Sequence, residues 1–236
     1  MKLSFARERI LAVVAHPDDA ELLCAGTLAR ARDDGAVIGI CVLTKGDKGQ
    51  PNRPISNLPA VRRKEMQAAA RLFGADLLFG GFPDGELVDS VATRRRVIEL
   101  FRQFRPSLVL AHSAEDYHPD HRAASALAEA ATWFAASRGH HTTSASLAEP
   151  PALWFMDSIN LSGFTPGFYV DISSHTEVKL RMMACHRSQL ARAADANFSP
   201  LLDLMRRQFQ TRGAQAGVAA AEAFRIYDVF KRARAW

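Results

Sequence analysis

Residues 10–15 (ILAVVA) form an apolar run that ends abruptly in His16-Pro17-Asp18-Asp19-Ala20-Glu21. An apolar run that does not alternate with polar residues predicts a strand covered on both faces, and so a central strand of an α/β sheet. Pro17 suits the first turn of a helix, where no amide donor is needed. Leu22, Leu23, Ala25, Leu28 and Ala29 carry the helical pattern onward. His16, Asp18 and Asp19 therefore stand at the carboxyl end of a strand, where open α/β sheets hold their ligands. Asp at such a place also has a purely structural use, capping free amides at the positive end of a helix. That use leaves His16 without a role.

A second stretch repeats the pattern. Residues 106–112 (PSLVLAH) are followed by Asp116-Tyr117-His118-Pro119-Asp120-His121. Again a short apolar strand ends, a His-Pro-Asp follows and a helix begins, so coincidental capping is a poor explanation of both. Between the junctions, strands are expected at residues 37–43 and 76–79 and helices at 58–73 and 91–104, with Gly74 ending the first of these helices. After the second junction the pattern gives a helix to about residue 136 and a mobile polar loop over 137–151. Further strands follow at 153–156 and 168–172, helices at 173–190 and 200–212, and an ambiguous segment at 224–230. The expected fold is a Rossmann-like, doubly wound α/β fold, a mostly parallel sheet with helices on both faces. Residues 1–236 are read as a single domain, with about 1–136 as the half that carries the site and about 150–236 completing it. In the order 3-2-1-4-5 the first and fourth strands are neighbours at the topological switch point, which brings the two His-Pro-Asp junctions to one crevice.

The chain has 236 residues and is 48% hydrophobic, which suits a sizeable core, and no run is long enough to span a membrane. Charges occupy residues 1–9, where a secretory signal needs an apolar core, so a cytoplasmic location is expected. Cys24, Cys41 and Cys185 are odd in number and widely spaced, which argues against a disulfide framework or a cysteine zinc site. The net charge is +5, and the short Arg and Lys clusters come without an aromatic platform or a nucleic-acid motif. A nucleotide-binding oxidoreductase is disfavoured because no glycine fingerprint follows the first strand.

Histidines and carboxylates that converge on one crevice suggest a divalent metal with open coordination positions. His16 and Asp19 flank the tight turn, and one residue from the second junction completes the set. The pair Asp18-Asp19 offers one ligand and one base. His118 and His121 offer one ligand and one acid, with Asp120 to orient it. Arg53 and Asp84 lie in loops on the ligand side of the sheet, where they could hold sugar hydroxyls or an anionic group, though turn chemistry accounts for them equally well. His112 ends the fourth strand. His140 and His141 lie in a polar loop, and His186 on a later helix suits packing as much as contact with a ligand.

These residues resemble the LmbE/PIG-L family of zinc-dependent de-N-acetylases. The resemblance rests on Ala15-His16-Pro17-Asp18-Asp19-Ala20-Glu21 together with His118-Pro119-Asp120-His121. Thr44-x-Gly46-x-x-Gly49, Arg62-x-x-Glu65, Pro83-Asp84-Gly85-x-Leu87 and His186-x-Ser188-Gln189 extend it along most of the chain. It implies zinc on His16, Asp19 and His121, with iron compatible with the same ligands. It implies Asp18 as general base, His118 as acid or stabiliser of the tetrahedral intermediate, and Asp120 as the group that holds His118. Some relatives carry a tyrosine two residues before the position of His118; here that residue is Asp116, with Tyr117 beside it. The reaction implied is removal of an acetyl group from an N-acetylglucosamine-type conjugate, a small-molecule substrate. A homo-oligomer is compatible with the sequence. The rival readings are an amidase that cleaves a thiol conjugate or another N-acyl amide on the same site, and a catalytically silent sugar-binding protein, for which a base at Asp18 has no use.

Overall fold

The computed structural model describes residues 3–195 and 198–233. In chain order the elements are β1 (Arg9–Val14), α1 (Asp19–Leu23), α2 (Ala25–Asp33), β2 (Val37–Thr44), α3 (Leu58–Arg71), β3 (Asp76–Phe82), α4 (Val91–Phe104), β4 (Leu108–Ala111) and α5 (Pro119–Phe134). The second half adds β5 (Ala152–Met156), β6 (Phe168–Asp171), α6 (Thr176–Met183), α7 (Arg187–Leu190), α8 (Leu201–Ala216) and β7 (Ala221–Ile226). The strands form one seven-stranded sheet in the order β3-β2-β1-β4-β5-β7-β6. β1 pairs in parallel with both β2 and β4, so the two junctions leave the sheet side by side, as the strand reversal requires.

The non-alternating apolar run at the start of the chain has a direct physical outcome. Ile10, Ala12 and Val14 enter one hydrophobic cluster, and Leu11, Val13 and Ala15 enter the other, on the opposite face of the sheet. Both faces are covered by helices, which is why no face of β1 needs polar residues. Gly39 in β2 lets α4 come close: a Cβ there would lie 2.5 Å from a ring carbon of Phe104.

Four features depart from the sequence expectations. β7 is antiparallel to both its neighbours and inserts between β5 and β6; of the ambiguous 224–230 segment only the part to Ile226 is strand, and that strand begins earlier, at Ala221. The first helix is interrupted at Cys24 (φ −144°, ψ 5°). There Glu222 of β7 accepts hydrogen bonds from the amides of Gly26 (2.9 Å) and Thr27 (2.7 Å), an anionic cap for α2. Lys179 of α6 donates to Glu222 (2.6 Å) and to the Leu22 carbonyl (2.8 Å), so one buried ion pair serves both ends of the break. The expected helix over 173–190 likewise divides into a 3-10 turn, α6 and α7. Ser188 then donates from its amide (2.8 Å) and its hydroxyl (2.6 Å) to Glu65 of α3. Finally, the loop over 137–151 is fastened to α4. Arg102 donates to the Ala135 and Ser137 carbonyls, Glu99 accepts from Ser144, and Leu147 is buried. Among the described residues no helix is long and apolar enough to cross a membrane.

Candidate metal centre

The tight turn after β1 is built by conformation as well as by sequence. Asp18 takes φ 117°, a region that L-residues rarely adopt, and its side chain makes no capping hydrogen bond to α1. The capping account of Asp18 is therefore not what the structure shows. Its carboxylate instead meets the buried guanidinium of Arg62, 3.1 Å away, and Arg62 also donates to the Pro17 carbonyl. Arg62 can reach the turn because residue 46 is glycine. Gly46 has φ +69°, and a Cβ there would lie 2.7 Å from the Arg62 side chain. Backbone held in a sparsely populated conformation and locked by a buried charge pair is a common mark of a functional turn.

Three donor atoms meet at the junction of the two stretches. His16 Nδ1 lies 3.3 Å from His121 Nε2 and 3.5 Å from Asp19 Oδ2, and Asp19 Oδ2 lies 3.4 Å from His121 Nε2. Ligands about 2.0–2.1 Å from a tetrahedral zinc ion are about 3.4 Å apart, so this near-equilateral triangle matches one face of such a site. His118 and His112 stand close by; the donor atoms of His16, His118 and His121, and those of Asp19, His112 and His121, fall within 4.8 Å of one another.

The remaining ring nitrogens are already committed. Asp120 Oδ2 is 3.1 Å from His16 Nε2, and Asp116 Oδ1 is 3.0 Å from His121 Nδ1. An ionised carboxylate only accepts, so each of these nitrogens carries the proton and the triangle nitrogens are left to ligate. The His16 amide donates to Asp19 Oδ2 (2.7 Å) and holds that carboxylate in place. Behind the triangle, His112 Nε2 accepts from the Ala15 amide (3.1 Å), and its ring stacks on His121 at 4.0 Å between centroids.

The electrostatics favour positive charge at this point. Burial works against protonation of His16 and His121, yet the hydrogen bonds of His16 to Asp120 and Asp19 hold it at about 10, and Asp19 with Asp116 holds His121 at about 9. Burial opposes ionisation of Asp19, but His121, His112 and His16 keep its carboxyl well below the usual range. A divalent cation satisfies the same field in place of the two ligand-side protons, so the residues present fit a metal. Burial raises Asp18, against the pull of Arg62 and with the push of Asp19. Burial lowers His118, with His121 and His16 acting in the same direction.

Beside the triangle lies a cavity of ≈ 350 Å³ that His16, Asp18, Asp19, His118, Asp120 and His121 all help to line. Two sequence expectations need correction here. Asp120 does not hold His118 through its carboxylate; it orients His16, and only its backbone amide meets His118, donating to Nδ1 at 3.1 Å. Arg53 is exposed in the loop between β2 and α3 and is not part of the cavity wall. Asp84 does line the cavity, but its two oxygens hold the amides of Gly46 (2.8 Å) and Lys48 (3.1 Å), which fixes the loop after β2.

Other residues of the site were given no role from sequence, although Asp116 and Gln189 both lie in the stretches that carry the resemblance. Asp116 orients His121, and its signal, a carboxylate five residues before that histidine, has meaning only once the start of α5 is known. Gln189 and Arg192 reach the cavity wall because α6 and α7 are separate, and Gln189 donates to the Gly49 carbonyl (3.0 Å). If Asp116 fixes the ligating nitrogen of His121, Asp116→Asn should weaken zinc binding about 10–100-fold while the fold persists. Competition against a chromophoric chelator, read beside the far-ultraviolet circular dichroism, would measure both. Affinity equal to wild type would remove Asp116 from this role.

The chain and its fold are similar to known proteins. The chain is 30% identical over 192 residues to diacetylchitobiose deacetylase of Thermococcus kodakarensis, covering 77% of this chain and 70% of the relative. It is 26% identical over 188 residues to 4-oxalmesaconate hydratase of Pseudomonas putida, covering 76% and 73%. The crystal structure of the conserved protein TT1542 from Thermus thermophilus superimposes with a TM-score of 0.81 at 33% identity, over 97% of this chain and all of that one. The family model described as "PIG-L: GlcNAc-PI de-N-acetylase" matches residues 11–132, the segment that contains both His-Pro-Asp junctions. A chain with this fold, these junctions and these relatives belongs to the PIG-L family.

Proposed function

We propose that this protein is a zinc-dependent N-deacetylase that hydrolyses the acetamide of an N-acetylglucosamine-type conjugate. The observation that carries the reading is the triangle of His16 Nδ1, Asp19 Oδ2 and His121 Nε2, with the far nitrogens of both histidines held by carboxylates. The similarity to diacetylchitobiose deacetylase supplies the substrate class. His16, Asp19 and His121 would hold the metal, and iron fits the same set. When bound, the metal polarises the amide carbonyl and lowers the pKa of water at the site to about 7.

The chain's own groups do the rest. Asp18, buried and with its proton affinity raised, faces the same cavity and takes the proton of the attacking water. Arg62 keeps Asp18 in its turn. His118 accepts the Asp120 amide at Nδ1, so its proton is on Nε2, free to donate to the oxyanion that forms on the carbonyl oxygen. Because the neutral ring has one proton to share and no spare one to give up, Asp18 is the group that returns a proton to the leaving amine.

The test is amine and acetate release by the zinc-loaded protein from N-acetylglucosamine, diacetylchitobiose and N-acetylglucosaminyl-inositol, with a chelated control. Metal-dependent release from at least one of them is expected. The similarity to 4-oxalmesaconate hydratase favours a second reading on the same residues, addition of water to an unsaturated tricarboxylate. Hydration of such an acid with no amide cleaved would replace the proposal.

A further inference from the structure

The ligand triangle has open space on two sides. One is the polar cavity already described, whose outer wall includes Lys48, Arg62, Gln189 and Arg192. The other is a hollow of ≈ 330 Å³ that shares Asp19, Leu22, Tyr117, His121 and Leu201 with the first and runs on past Leu23, Ile159 and Leu204. Leu22, Leu23 and Ile159 are buried, and Leu201 and Leu204 lie half-buried along α8. Among the described residues no Lys or Arg lines this second hollow; its acidic groups, Asp19 and Asp116, are at the end it shares with the triangle, and Asn160 and Ser199 are polar but uncharged.

We propose that the second hollow is an acyl subsite, and that the preferred substrate carries a linear apolar N-acyl chain of about six to eight carbons rather than acetyl alone. The proposal rests on the amide-hydrolase reading above. An amide held at the triangle has two arms. The hydroxyl-rich sugar arm finds its hydrogen-bonding partners in the lobe with Lys48, Gln189 and Arg192, which leaves the acyl arm to the leucine-lined lobe. The methyl of an acetyl group is about the size of a water molecule, whose share of liquid volume is about 30 Å³, so acetyl fills only a small part of this space. The reaction is unchanged in kind. Water adds to the carbonyl carbon and the C–N bond breaks. The nitrogen gains the proton that Asp18 took and leaves as the amine of glucosamine, and the fatty acid gives up the second proton of the water, so the products are a fatty carboxylate and the glucosamine ammonium.

The experiment is a series of N-acylglucosamines from acetyl through butanoyl and hexanoyl to octanoyl, run beside octyl glycosides of N-acetylglucosamine on the zinc-loaded protein. Each methylene buried in an apolar wall is worth about fourfold, so kcat/KM should rise about 10²-fold or more from acetyl to hexanoyl or octanoyl. Leu204→Asp should collapse the octanoyl-to-acetyl ratio and Leu204→Met restore it. The ratio is internal to each preparation, so partial misfolding of a variant does not imitate the result. Turnover of acetyl that stays level or falls with chain length overturns the acyl subsite and leaves the deacetylase reading standing. A gain confined to the octyl glycosides assigns the hollow to the aglycone and overturns it equally. If no N-acylglucosamine of any length is cleaved while diacetylchitobiose or N-acetylglucosaminyl-inositol is, the acyl subsite is overturned and the amide-hydrolase reading stands; if none of these amides is cleaved, both fail.

Discussion

Asp18→Asn should retain its metal and lose about 10²–10⁴-fold in turnover, the usual scale for one general base. Asparagine keeps the size of the side chain and an oxygen for Arg62, so the turn at φ 117° keeps its partner. What it loses is the ability to take a proton at neutral pH. A helix cap would respond differently, because Asn caps about as well as Asp and such a replacement is nearly silent. The side chain of Asp18 makes no capping bond, so silence is not expected. Turnover within a few-fold of wild type, measured on a confirmed substrate at matched metal content, would reject Asp18 as the base.

The second large effect is on stability and lies away from the chemistry. Lys179 and Glu222 are buried, 0% and 3% exposed, and 2.6 Å apart. Lys179→Met leaves the Glu222 carboxylate buried without its counter-charge, and Glu222→Gln leaves the ammonium in the same position. Removing one partner of such a pair costs about 3–5 kcal/mol, because the remaining charge is uncompensated in a medium that solvates it poorly. For a chain of this size that corresponds to roughly 6–20 °C in Tm. The double variant should cost clearly less than the sum of the two single ones, since no stranded charge remains. Urea midpoints with an unchanged slope would measure all three. Single variants that each cost under about 1 kcal/mol would show that the pair is not what holds the break between α1 and α2. The two predictions are coupled through position, because the Leu22 carbonyl that Lys179 holds lies at the end of the short helix that begins at Asp19.

Much of the fold was legible because its causes are local. The apolar run before His16 and the one before His112 have no polar face to offer water, so each had to be covered on both sides. Helices between them force parallel pairing, and the reversal of strand order then places β1 beside β4. The meeting of His16, Asp19 and His121 follows from that topology together with the residues at the two strand ends. α4 was legible to the residue, since Ser90 accepts from Thr93 as a cap and the apolar spacing is regular.

What only the tertiary structure decided depends on partners far away in the chain. Nothing near Cys24 announces a break; the anionic cap comes from Glu222 and its counter-charge from Lys179, both in the second half of the molecule. The placement of β7 between β5 and β6 is likewise a matter of which edges remain unpaired after the parallel strands are laid down. Sequence placed Asp116, His118, Asp120 and His121 together, but the assignment of carboxylates to rings is set by side-chain direction at the first turn of α5. Asp120 points across the crevice to His16, and Asp116 folds back to His121. A row of alternating acids and histidines fixes the composition of a candidate metal site. Which acid holds which ring is decided by the relative position of two strand ends, and that is a property of the packed sheet.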